Sequence, residues 1–225
     1  TLDSLASLEV PAGISLTILV VDNGSTDDTP ELLARFAQTL PLNVVREKRP
    51  GLSVARNAGV AALAGDIVVC TDDDAVEPSD WLSKYVAAFR VRPDVSLMGG
   101  DVVPVLDGAD PAWALAALKA SPSCFARFAV GARNVELGPD TPQRLLPFGV
   151  NMAFRVDALK QFRFDESLGR QPGGLTLSGE ETGLMAAMLR AGHTGMLLAG
   201  NPVEHHIHPS RQTLDYIRSY YFAQG

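Results

Sequence analysis

The sequence predicts an α/β fold built on a mainly parallel sheet flanked by helices. Short β-branched runs alternate with longer helical patterns through the first half of the chain. One of those runs, Ile14 to Asp22, is apolar almost without interruption, as a strand covered on both faces requires. A third observation is the acidic triplet Asp72-Asp73-Asp74, which closes another such run at the carboxyl end of a strand, where open α/β sheets gather their ligands.

The elements follow in order. Leu2, Leu5 and Leu8 are spaced for one face of a helix end. After the Ile14 to Asp22 strand, Ser25-Thr26-Asp27-Asp28-Thr29-Pro30 supplies N-cap candidates and a first-turn proline. Leu32, Leu33, Phe36 and Leu40 give the helix that follows its apolar stripe. Asn43 to Glu47 reads as a second strand, Ser53 to Leu63 as a helix, and Asp66 to Thr71 as a third strand. Ser79 to Arg90 is a helix carrying Trp81, Leu82, Tyr85 and Phe89, and Val95 to Val105 is a further strand in which Gly99-Gly100 marks a bulge or a close approach. Between Leu106 and Pro147 the periodicity weakens. One short helix, Ala112 to Ala120, sits there among prolines, glycines and Arg127, Arg133 and Arg144, and the segment reads as an insertion over the site. Regularity returns with a strand at Asn151 to Arg155, a helical turn at Asp157 to Gln161 and a helix from Glu180 to Ala191 stopped by Gly192. A strand near Met196 to Leu198 and an aromatic amphipathic helix, Thr213 to Ala223, close the chain. With no repeat or linker, residues 1–225 read as one domain.

Composition narrows the function. A chain of 225 residues with 46% apolar content can bury one substantial core. Its net charge of −7 opposes electrostatic adhesion to nucleic acid, so no nucleic-acid partner is expected. The longest apolar stretches, Ile14 to Val21 and Ile67 to Cys70, fall short of the roughly 20 residues that a helix needs to cross a bilayer, which leaves only peripheral membrane contact open. Two cysteines, Cys70 and Cys124, give neither a disulfide framework nor a cysteine zinc site. Without a secretory pattern at the start, a cytoplasmic location is expected.

Three adjacent carboxylates repel one another, and hard oxygen ligands at that density suit Mg²⁺ or Mn²⁺, which would also neutralise a diphosphate. Taken alone, the triplet serves equally well as a solvated turn before the helix at Ser79. The string Val20-Val21-Asp22-Asn23-Gly24-Ser25-Thr26-Asp27, then Gly51-Leu52-Ser53-Val54-Ala55-Arg56-Asn57-Ala58-Gly59, then Asp72-Asp73-Asp74 leading to Pro78 and Trp81, resembles the nucleotide-sugar half of the inverting family 2 glycosyltransferases. Each string alone is an ordinary turn or helix start; the order of the three carries the resemblance.

The resemblance implies the GT-A fold, a Rossmann-like sheet with a smaller acceptor-side region. Residues 1–105 would bind the nucleotide sugar and residues 106–225 the acceptor. It places Asp22 and Asn23 near base and ribose, Arg56 at the nucleotide and Asp72 next to the ribose. Counted back from Pro78, the usual metal ligand matches Asp73. Thr71 stands where many relatives have an aspartate, which leaves Asp73 and Asp74 as alternatives. Gly179-Glu180-Glu181 is similar to the family's Gly-Glu-Asp motif, whose last acid is the general base. That implies Glu181 as base with Glu180 beside it, although acids in a first helical turn also answer the macrodipole.

In Glu204-His205-His206-Ile207-His208-Pro209, His206 matches the family histidine that completes the metal shell or meets the diphosphate. His206 and His208 are expected to share a strand face, and His205 and His208 read as structural. Phe148 to Arg155 is similar to the strand lining donor sugar and acceptor, with Gly149 and Asn151 as its site residues. Trp113, Phe125, Arg127 and Arg133 either meet the acceptor or pack the insertion. Relatives begin with a strand upstream of these residues, so a short amino-terminal strand is expected beyond the given sequence.

The expected chemistry is an inverting transfer from a UDP-, GDP- or TDP-sugar to a glycan, lipid-linked or small-molecule acceptor. The alternatives are a sugar-phosphate nucleotidyltransferase, disfavoured because no glycine-rich phosphate loop is seen, and a silent nucleotide-sugar or glycan-binding module, disfavoured by Glu181. No Gln-x-x-Arg-Trp string points to a polymerising synthase.

Overall fold

Neighbouring residues of the central strands point into different cores. In the computed structural model, whose described residues are 1–108, 110–169 and 178–222, Leu97, Phe154 and Leu197 pack into one apolar cluster while Met98, Ala153 and Met196 pack into another. This period-two sorting is what a sheet covered by helices on both faces produces.

The chain opens with α1 (Leu2–Ala6), β1 (Ile18–Asp22), α2 (Thr29–Phe36), β2 (Leu42–Arg46), α3 (Leu52–Ala62) and β3 (Ile67–Cys70). It continues through β4 (Ala75–Val76), α4 (Trp81–Val91), β5 (Val95–Gly99), β6 (Val102–Leu106), α5 (Pro111–Ala120) and β7 (Val135–Leu137). β8 (Met152–Arg155), α6 (Val156–Leu159), α7 (Glu180–Arg190), β9 (Thr194–Leu197), β10 (Val203–Ile207) and α8 (Leu214–Phe222) complete it. The expected last residue of α8, Ala223, lies outside the described residues.

The five-stranded sheet is ordered β3-β8-β5-β9-β7. β5 and β9 are parallel, and β8 runs antiparallel between β3 and β5, so β3, β5 and β9 share one direction. β1 and β2 form a parallel pair, and β10 lies between β4 and β6, parallel to β6. α4 covers one face with Trp81, Leu82, Tyr85, Val86 and Phe89, and α7 covers the other with Leu184, Met185, Met188 and Leu189. Full burial of side chains such as Phe154, Leu97 and Met185 contributes about 1.5–3 kcal/mol each.

The expected strand from Val95 to Val105 divides into β5 and β6, which belong to different sheets. The break is the close approach that the glycine pair foretold. A Cβ on Gly99 would lie 2.2 Å from Pro147 Cβ, and one on Gly100 would lie 2.4 Å from the Asn201 carbonyl oxygen. β1 starts at Ile18 rather than Ile14, although Ile14 and Leu16 still pack against a core. The short strands β4 and β7 were not foreseen. Among the described residues no helix is long and apolar enough to cross a membrane.

Candidate active site

The carboxyl end of β1 and the start of α3 are held by their own side chains. Asp22 Oδ1 accepts the Ser25 amide at 2.9 Å, and the Ser25 hydrogen bonds hold its carboxyl below the usual aspartate range. Asn23 Nδ2 donates to the carbonyls of Glu47 at 3.0 Å and Arg49 at 2.7 Å, and its Oδ1 accepts the Gly51 amide at 3.0 Å. Gly51 needs its φ of 123° to present that amide, which favours glycine there. The geometry therefore gives both residues a loop-holding role at the strand end.

α3 turns its polar residues inward. Ser53 Oγ donates to the Leu168 carbonyl at 2.7 Å, while the Asn57 side chain exchanges two bonds of 2.9 Å with the backbone of Phe164. Between them on the same helix, Arg56 is the cation of a buried node. Its Nη1 lies 2.8 Å from Glu180 Oε1 and 3.7 Å from Glu181 Oε2, and its Nη2 lies 3.7 Å from Asp72 Oδ1. Gly149 makes room for it, since a Cβ there would sit 2.2 Å from Nη2. One guanidinium facing three carboxylates leaves surplus negative charge. Burial, and then the Glu181 charge, push the Glu180 carboxyl up to about 7. Glu181 Oε1 accepts the Gly149 amide at 3.4 Å, and its Oε2 has no hydrogen-bond partner among the described residues.

A second node forms at the triplet. Ligand atoms of Asp72, Asp74 and His205 all lie within 4.8 Å of one another. His205 Nε2 is 3.1 Å from Asp74 Oδ1, and Arg211 Nη1 is 3.0 Å from Asp74 Oδ2. Two carboxylates and an imidazole at this spacing could hold a divalent metal ion. Burial pushes the Asp72 carboxyl up, and Arg56 opposes that shift.

Of the residues read as ligands in the sequence, Asp74 joins this group and Asp73 and His206 do not. Asp73 is exposed on the turn, and its carbonyl accepts Thr1 Oγ1 at 2.7 Å. His206 points off the other face of β10, where its Nδ1 meets Asp107 Oδ1 at 2.9 Å. The difference from the expected placement is one of strand phase: Val203, His205 and Ile207 are buried together on one face, and Glu204 and His206 alternate with them. That apolar flanking of His205 was the available signal. His208 lies beyond the strand and caps the turn at Pro209–Arg211. Arg211 was missed because nothing local marks it.

Asn151 also departs from expectation. It is fully buried, its Oδ1 accepts Trp81 Nε1 at 2.9 Å and Tyr85 Oη at 2.7 Å, and its Nδ2 donates to the carbonyls of Asp101 and Asn201 at 2.8 Å each. All four hydrogen-bonding positions of the amide are taken, so it ties the β5–β6 crossover and has none left for a ligand. In the insertion, Phe125 is fully buried with Ala117, Cys124 and Ile207, and Trp113 packs against them. Arg127 lines an open cavity of about 640 Å³ with Leu115, Leu118, Lys119, Pro122 and Ala129, and Arg133 is exposed. Cys70 and Cys124 are free thiols, and burial pushes that of Cys70 up to about 11.

Comparison with known proteins gives the family and the fold. The family model described as Glycosyl transferase family 2 matches residues 1–162. A glucosyl-dolichyl phosphate glucuronosyltransferase of Haloferax volcanii is 26% identical over 159 residues, covering 69% of this chain and 48% of that protein. Among solved structures, S. aureus TarS in complex with UDP superposes with a TM-score of 0.69 at 16% identity, covering 99% of this chain and 60% of that one. Mannosyltransferase PcManGT of Pyrobaculum calidifontis, in complex with GDP-Man and Mn²⁺, does so with a TM-score of 0.61 at 24% identity, covering 91% of this chain and 51% of that one. The shared fold is GT-A. The chain spans 33% and 48% of the length of two curated relatives it matches.

Proposed function

The chain belongs to glycosyl transferase family 2, and on that premise we propose that it moves a sugar from a nucleoside diphosphate sugar to an acceptor hydroxyl, with inversion at the anomeric carbon. The observation that carries the reading is the adjacency of the two nodes. Asp72 belongs to both, to the ion-binding group through Asp74 and His205 and to the carboxylate pair of α7 through Arg56.

When bound between Asp72, Asp74 and His205, a divalent ion supplies charge that stabilises the departing diphosphate. Arg56 holds Glu180 in its buried pair, which fixes the start of α7 and leaves Glu181 as the more exposed acid of the two. Glu181 takes the proton of the acceptor hydroxyl as that oxygen attacks. Glu181 Oε2 is buried 3.7 Å from Arg56 Nη1 with no hydrogen-bond partner among the described residues, so the side chain must turn outward to meet the acceptor hydroxyl. Asp22 and Asn23 act through the loops they hold, shaping the floor on which the nucleotide rests.

The test is release of nucleoside diphosphate from UDP-, GDP- and TDP-sugars by the full-length protein, with Mn²⁺ or with EDTA, across glycan, lipid-linked and small-molecule acceptors. Metal-dependent release that an acceptor accelerates is the expected result. Nucleotide binding without release from any donor contradicts it and supports a binding module.

A further inference from the structure

Two arginines face the carboxylates of the ion-binding group, and they are held differently. Arg56 is fixed by three acids, with Phe164 against its guanidinium and Gly149 against its Nη2. Arg211 Nη1 meets Asp74 Oδ2 at 3.0 Å. It is mostly buried and stacks on Tyr216, with its guanidinium carbon 5.9 Å from the ring centroid. It stands on a single short turn, Pro209–Arg211, between β10 and α8.

We infer that Arg211 is an exchangeable counter-ion. It pairs with Asp74 while the site holds no divalent ion and turns to the diphosphate once ion and nucleotide are in place. The inference rests on the metal reading above and adds a residue to it. A doubly charged ion on Asp74 repels a guanidinium 3.0 Å from that same carboxylate. The anion that arrives with the ion is the diphosphate, and a guanidinium matches phosphate oxygens with paired donors. Arg56 cannot make this exchange, because leaving its place would strand Glu180 as a buried, unpaired acid. Arg211 thus competes with the ion in the resting protein and cooperates with it in the loaded one.

That opposition of signs is the test. Mn²⁺ binding without nucleotide is read by electron paramagnetic resonance of the free ion. UDP and GDP binding at saturating Mn²⁺ is read by calorimetry on the same preparations of full-length wild type, Arg211→Gln and Arg211→Lys, with melting curves showing that each is folded. Arg211→Gln is expected to bind Mn²⁺ alone about tenfold tighter and the diphosphate about tenfold more weakly, with Arg211→Lys between it and wild type. A purely structural arginine would weaken both, so two affinities moving the same way overturn the inference. An unchanged Mn²⁺ affinity, or an unchanged diphosphate affinity, overturns it as well. If the wild type binds UDP or GDP equally in EDTA and takes up no Mn²⁺, the metal reading itself fails and this inference with it.

Discussion

The two arginine nodes of the site are built on opposite principles. Arg56 comes from the middle of a helix, is surrounded by Asp72, Glu180 and Glu181, and packs so closely on Gly149 that a Cβ there would displace its guanidinium. Arg211 comes from a short turn near the end of the chain and meets the edge of the acidic turn beside His205. In the first node burial, and then the Glu181 charge, raise the Glu180 carboxyl to about 7. The second brings two carboxylates, an imidazole and the Arg211 guanidinium together, and it is this guanidinium that we propose gives way to an ion. On the proposed function, the first node positions a base and the second takes up an ion and a diphosphate.

The largest expected effect breaks the fixed node at its chemical output. Glu181→Gln keeps the shape of the side chain but cannot accept a proton. Single-turnover transfer at saturating substrates should fall roughly 10²–10⁴-fold while donor affinity, measured separately, is kept. If transfer keeps the wild-type rate, the base lies elsewhere. Next, Gly149→Ala forces a methyl group to within 2.2 Å of Arg56 Nη2, and overpacking of this kind costs roughly 1–3 kcal/mol. Urea unfolding measures it, and an unchanged midpoint would mean that Arg56 has room to move and that the node is not fixed.

A smaller effect concerns pH. The folded value of about 7 for Glu180 lies above the ordinary 4.5, so the folded state binds that proton more tightly than the unfolded state does. This contribution to stability is complete below the unfolded value and is lost as pH rises through the folded one. Glu180→Gln has no such proton. The difference in urea midpoint between wild type and variant should therefore shift against the wild type from pH 4.5 to 8, and parallel profiles would show that Glu180 is not perturbed.

The same contrast explains what the sequence made legible. The layered fold and the glycine break after β5 follow from patterns spanning several residues, which survive an error of one or two positions; the pairing of Arg56 with Glu180 and Glu181 was not read, because it joins helices 124 positions apart. The exchangeable node depends on single-residue phase. His205 and His206 are adjacent, and which of them faces Asp74 depends on where β10 begins its alternation. The sequence left Asp73 and Asp74 as alternatives because a turn, unlike a strand, has no fixed period to separate them. Asn151 stood in the right motif but spends its amide on Trp81, Tyr85, Asp101 and Asn201, partners far apart in sequence. Arg211 reaches Asp74 across 137 positions, a separation that no local pattern encodes.

The placement of the ion is therefore the central claim, and one pair of variants tests it directly. Mn²⁺ affinity is compared between His205→Asn and His206→Asn, with wild type as the reference. The proposed ion placement predicts a loss of roughly 10–100-fold or more for His205→Asn, since even an outer-shell partner of a metal is worth that much and this imidazole lies within 4.8 Å of the two carboxylates. His206→Asn should stay within about twofold of wild type, because its Nδ1 is engaged with Asp107 on the opposite face of the strand. The reverse ranking would contradict the account.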